Sequence, residues 1–265
     1  MHPHLRRWAC IPALALAGLL AVAPAAGATG DSDEDVKRVG VGIGERPLVG
    51  VRVAIDPGHN GENGSHPEEI NERVPDGRGG EKACNTVGTT STTGYPEHAF
   101  TFDVATRLAD ELRAQGASVF LTREDDRGVG PCVDRRGTFA EDNDVDLLLS
   151  LHANGSADPD QQGFFAIVAD PPLSESQEQP SQDLALAMVD ALEDAGFAQS
   201  DLDADGVIER DDLATLNFAR RPATLIELGE MRNVDEAAVM ESTEGRQQYA
   251  DALAEGVRTW VDEHR

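Results

Sequence analysis

VRVAIDPGHNG (residues 51–61) and VDLLLSLHANGS (residues 145–156) share one shape: a short, almost unbroken apolar run that ends on a histidine, with Asn and Gly close behind. A strand with one wet face alternates apolar and polar residues, whereas a run apolar throughout is covered on both faces. ASVFL (117–121), GFFAIVA (163–169) and ATLIEL (223–228) read the same way. Helical patterns lie between these runs. Phe100, Val104, Leu108 and Leu112 recur every four residues across 97–115, after Pro96 and before Gly116. Ser181 is expected to cap a helix carrying Leu184, Met188 and Leu192 that stops at Gly196, and residues 243–263 place Ala250, Leu253, Ala254, Val257, Trp260 and Val261 on one stripe. Strands alternating with amphipathic helices predict an α/β fold: a single domain with a twisted, mainly parallel sheet and helices on both faces.

Outside this pattern the chain reads differently. Arg6 and Arg7 precede an apolar stretch from Trp8 to Ala23, and Ala26-Gly27-Ala28 offers small residues for cleavage, so residues 1–28 are expected to be a secretory signal peptide. Residues 29–48 are polar and Gly-containing, a leader or linker before a domain spanning 49–265. Cys10 falls in the signal, which leaves Cys84 and Cys132 in an oxidising compartment. One disulfide is expected, with two free thiols as the alternative; such a bridge stabilises by about 4 kcal/mol in the chain-entropy account. Twenty-two basic residues against 49 acidic ones give a net charge of −27. Loss of residues 1–28 removes two arginines and no acid, making it −29. Such a surface repels phosphate backbones and anionic headgroups, so no nucleic-acid partner and, after signal cleavage, no membrane partner is expected.

The connection from Asn60 to Pro96 is too long for an idle loop and is expected to serve a functional site or hold a small hairpin. Around it, four residues fall where strands end and helices begin: His59 after the first strand, Glu97 in the first helical turn after the long connection, His152 closing its strand, and Glu227 closing another. In an open parallel sheet those positions share one edge, where ligands bind. Two imidazoles and a carboxylate can hold zinc with a fourth position open to water, which leaves the second carboxylate free as a general base. Singly, each has a plainer role: a hydrogen-bonded histidine, a Glu97 that complements the helix dipole, a Glu227 paired with Arg220 or Arg221. Together on one edge they favour the metal centre.

VAIDPGHNG (53–61), GYPEHAFTFDVATRL (94–108), VFLTRED (119–125), DLLLSLHANGS (146–156) and ATLIELGEMRN (223–233) resemble, in that order, the zinc-dependent N-acetylmuramoyl-L-alanine amidases of the Amidase_3 family, most closely its compact mycobacterial and actinobacterial members. The resemblance implies that His59, Glu97 and His152 bind zinc and that Glu227 is the catalytic acid/base. It also implies hydrolysis of the amide between N-acetylmuramic acid and L-alanine, with peptidoglycan or its muropeptides as partner, in a secreted, extracytoplasmic protein expected to be a monomer. Asp56 and Asn154 are candidates to orient the ligand histidines, although Asp56 could simply shape its turn. His66 and His98 are read as surface or substrate-side residues. Asp201, Asp203, Asp205, Gly206 and Asp212 imitate the start of a calcium loop, but the flanks do not read as a helix pair. The alternative function is a non-catalytic envelope-binding protein that keeps the amidase fold, with or without calcium.

Overall fold

The computed structural model describes residues 46–265 apart from Pro159. The expected signal peptide (1–28) and the leader up to residue 45 lie outside the described residues. The last residue of the expected leader is already part of the packing: Leu48 is fully buried and its N–H donates to Gln115 O.

The first apolar run becomes β1 (Arg52–Pro57). The long connection holds a short helix, α1 (Pro67–Ile70), and a small antiparallel hairpin of β2 (Arg73–Pro75) and β3 (Glu81–Ala83). The helical stripe after Pro96 becomes α2 (Glu97–Ala114), followed by β4 (Ser118–Leu121), α3 (Val133–Asp142) and β5 (Leu147–Asn154). β6 (Phe165–Ala169), α4 (Gln179–Asp194), β7 (Val207–Arg210) and α5 (Ala214–Phe218) come next. β8 (Ala223–Glu230), α6 (Val234–Glu241) and α7 (Thr243–His264) complete the order. The main sheet runs β4-β1-β5-β8-β6-β7. β4, β1, β5 and β8 are mutually parallel, while β6 lies antiparallel to β8 and β7 runs with β6.

Strand side chains alternate between faces, and this explains the unbroken apolar runs. Val53, Ile55, Leu147, Leu149, Leu151, Ile226 and Leu228 join one core with Phe100 and Val104 of α2, Leu184 and Met188 of α4, and Leu253 and Val257 of α7. Their neighbours Ala54, Leu148 and Leu225 face the other way, against Ala140 of α3 and Leu216 of α5. Both faces are thus covered by helices, as the runs imply.

Three elements depart from the sequence pattern. Ser181 does not cap α4; the helix starts at Gln179, and the Ser181 hydroxyl donates to Ser176 O (2.8 Å) and accepts from Ala223 N (2.9 Å). β7 forms inside the stretch that imitates a calcium loop. α3 has no apolar stripe to announce it, since its buried residues are Arg136, Gly137 and Ala140. The hairpin does not hang free: Arg78 donates to Asp211 O (2.8 Å) and Asn217 Oδ1 (3.0 Å), and Lys82 donates to Asp212 O (2.5 Å).

Candidate active site

β1 ends in Asp56-Pro57, and the chain then turns through Gly58 into His59, whose φ is +60°. That left-handed backbone costs a non-glycine residue roughly 1–2 kcal/mol, so the surroundings must hold it. The His59 ring is held too: its Nδ1 lies 3.0 Å from Thr86 O, which makes Nδ1 the donor and aims Nε2 at Glu97 Oε1, also 3.0 Å away. Glu97 is the first residue of α2 and is buried. Its Oε2 accepts from Thr89 N (2.8 Å) and its Oε1 from Ala153 N (3.1 Å). Glu97 Oε1 also lies 3.0 Å from His152 Nδ1 on β5. The two imidazoles meet edge to face, 4.8 Å between centroids.

One ligand atom each from His59, Glu97 and His152 fall within 4.8 Å of one another, and no other group of three or more His, Cys, Asp or Glu does so among the described residues. The donor set suits zinc. Ligands about 2.0–2.1 Å from a tetrahedral ion are roughly 3.3 Å apart; both histidines lie 3.0 Å from Glu97 Oε1, and the three ligand atoms stay within 4.8 Å of one another. Burial disfavours a charged Glu97, yet His59 and His152 outweigh it and hold the carboxyl well below the usual carboxylate range. Burial likewise opposes a cationic His59, but Glu97 and the Thr86 carbonyl raise its pKa above the ordinary value.

Glu227 stands beside it on β8. The β5–β8 register pairs His152 with Glu227, so both side chains project from the same face, just before the ladder slips at Asn154. Glu227 is partly exposed, but its Oε2 is enclosed and has no hydrogen-bond partner. Burial, then the negative charge of Glu97, pushes its pKa well above the ordinary carboxylate value. The two arginines considered from the sequence are engaged elsewhere: Arg220 donates to Asn217 O, and Arg221 pairs with Glu141 and Asp144; the cation that partly offsets the rise is Arg210, itself paired with Asp212.

Three side chains that could hold a metal ion and one spare, unpartnered carboxyl thus meet at one sheet edge from four separated segments. The family described as N-acetylmuramoyl-L-alanine amidase, Amidase_3, matches residues 53–259. The chain belongs to this family. It is 43% identical over 211 residues to N-acetylmuramoyl-L-alanine amidase Rv3717 of Mycobacterium tuberculosis, covering 79% of this chain and 86% of that protein. Its fold matches the amidase Ami1 of Mycobacterium smegmatis with a TM-score of 0.78 at 39% identity, over 82% of this chain and 99% of that one. The apo form of Ami1 from Mycobacterium abscessus gives 0.77 at 39% identity, over 81% and 100%.

Other expectations fare differently in this amidase-family chain. Asp56 makes no hydrogen bond to either histidine. It accepts from Arg136 Nη1 (2.6 Å), Thr122 Oγ1 (2.6 Å) and Ser150 Oγ (2.7 Å). The Asn154 side chain makes no hydrogen bond to either histidine among the described residues; its carbonyl accepts from Met231 N. His98 Nδ1 pairs with Asp126 Oδ2 at 2.7 Å, and His66 Nδ1 lies 3.0 Å from Glu62 O. The aspartates at 201, 203 and 205 do not gather into a metal-binding group; Asp203 accepts from Asp205 N, and Asp212 is held by Arg210.

The strip 86–89 was not legible as part of the site. Thr86 orients His59, Thr89 orients Glu97, and Gly88 between them has φ +83°. A Cβ on Gly88 would come within 2.8 Å of Glu97 Oε2 and 2.9 Å of His59 Cδ2. Arg136 was missed as well, because an arginine in a polar helix reads as solvent-facing. Cys84 and Cys132 are joined as a disulfide. Cys84 lies two residues before Thr86, and Cys132 stands at the start of α3.

Proposed function

We propose that this chain is a zinc-dependent N-acetylmuramoyl-L-alanine amidase that cleaves the bond between N-acetylmuramic acid and the L-alanine of the stem peptide. His59, Glu97 and His152 hold the ion, and Glu227 is the catalytic acid/base. The observation that carries this reading is the unpartnered Glu227 carboxyl, its Oε2 enclosed, beside the cluster of His59, Glu97 and His152. When bound, zinc would polarise the scissile carbonyl and lower the pKa of an adjacent water.

The protein residues do the rest. Glu227 takes a proton from the attacking water and returns it to the leaving amine; its burial, which raises its pKa above the ordinary carboxylate value, favours taking that proton up. Glu97 stays ionised and offsets the charge of the ion. Thr86 keeps the His59 tautomer that leaves Nε2 free for metal.

A protein that only bound the envelope would have no use for an enclosed acid beside a metal cluster. Export, with removal of residues 1–28, fits a disulfide-bonded domain acting on the wall as a monomer. Among the described residues no helix is long and apolar enough to cross a membrane. Digestion of purified peptidoglycan with and without a chelator tests the assignment. It expects stem peptides with free L-alanine amino termini, lost on chelation and restored by zinc; glycan-strand cleavage instead, or activity indifferent to chelation, would overturn it.

A further inference from the structure

We propose that Arg136 is the positioning residue for His59: anchored by Asp56, its guanidinium fixes the backbone from which His59 reaches the metal, and so sets metal affinity without touching the metal. This inference rests on the reading of His59 as a ligand.

The Arg136 side chain is buried, and all three of its nitrogens are committed. Nε donates to Pro131 O (2.9 Å), Nη1 to Asp56 Oδ1 (2.6 Å) and Pro57 O (2.7 Å), and Nη2 to His59 O (2.8 Å). Asp56, Pro57 and His59 are successive points of the turn that carries the ligand. A planar fork with donors in fixed directions can grip such a set, whereas a lysine ammonium is one point on a flexible stem. Removing a charge pair from water is unfavourable and on average adds little stability. Here the pair instead fixes one conformation. That conformation needs fixing: a non-glycine residue in the left-handed region persists only where its surroundings over-determine it.

A second arm holds the ring, through Thr86 O. The two arms meet at their roots. Thr86 lies two residues after Cys84, the Cys132 carbonyl accepts the Arg136 N–H (3.0 Å), and the disulfide joins the two cysteines. Backbone and imidazole of His59 are therefore gripped from two segments that are covalently one.

The test is zinc affinity, measured by competition with a chromophoric chelator below the melting temperature of each variant. Two variants report on the clamp: Arg136→Lys, and the double change Arg136→Met with Asp56→Leu, which leaves no buried charge behind. The double variant should bind zinc roughly ten- to hundredfold more weakly, the range for lost supporting contacts around a ligand, with Arg136→Lys in between. Leu253→Ala, a core truncation in α7, should lower the melting temperature and leave zinc affinity unchanged. If it weakens zinc as much as the double variant does, Arg136 is merely structural and the proposal falls. Native zinc affinity in both Arg136 variants, alongside its loss in His59→Ala, overturns the clamp and spares the metal assignment. Native affinity in His59→Ala overturns both.

Discussion

Glu97 uses both carboxylate oxygens on the protein, from Thr89 N and Ala153 N, while facing two histidines; Glu227, one strand away, leaves an oxygen with no partner. That contrast fits the proposed roles of Glu97 as ligand and Glu227 as acid/base. Glu227→Gln should keep its zinc, by metal analysis, while hydrolysis falls a hundredfold or more, the scale of a lost general base. A variant that hydrolyses at the native rate would return Glu227 to a structural role. Asp56 gives a pH prediction. Burial alone would raise its pKa, but Arg136, Thr122 and Ser150 outweigh that and hold it below its ordinary value of 3.8. A carboxyl depressed in the folded state adds stability that is present above its unfolded pKa and lost as pH falls through the folded one. Asp56→Asn should therefore be destabilised at pH 7, by about 3–5 kcal/mol for a broken buried pair. Its deficit against the native chain in urea unfolding should narrow only below about pH 3.8. A deficit constant from pH 6 to pH 3 would contradict this. At this scale His59, Glu97, His152 and Glu227 were legible because strand ends and a helix start mark them. Arg136 and Thr86 were not, since nothing local to either residue says that the fold brings it to His59.

Among the elements, the disulfide works on a connection rather than on a strand. It ties the segment leading to Thr86 to the start of α3, at a sequence separation of 48. Cys84→Ser combined with Cys132→Ser should melt earlier, by an amount equivalent to about 2–5 kcal/mol, yet retain measurable hydrolysis because no proposed ligand is a thiol. Unchanged melting in calorimetry would make the bridge incidental. The elements legible in sequence were those with a continuous apolar run or a four-residue stripe. β7 escaped because Glu209 and Arg210 are exposed and only Val207 is buried. The reversed direction of β6 and β7 escaped because residue alternation reports burial and not polarity of travel. α6 was hidden by its brevity and by apolar residues that include an exposed Val234.

The whole molecule carries a charge of −27, and the wall it is proposed to act on is itself anionic. Repulsion between them acts over the Debye length, about 10 Å at 0.1 M salt. Hydrolysis of intact wall should therefore rise between 10 mM and 150 mM sodium chloride, while cleavage of a small soluble muropeptide changes little. Equal salt responses for the two substrates would show that net charge is irrelevant to access. The strand order has a consequence for how activity arises. β8 enters late in the chain but sits in the interior of the sheet, between β5 and β6. A chain made only as far as Ala223 contains His59, Glu97 and His152, yet it lacks both the strand that joins β5 to β6 and Glu227, the proposed acid/base. Such non-local pairing is intrinsically slow to form. Topology thus keeps the four side chains apart until nearly the whole domain has been made.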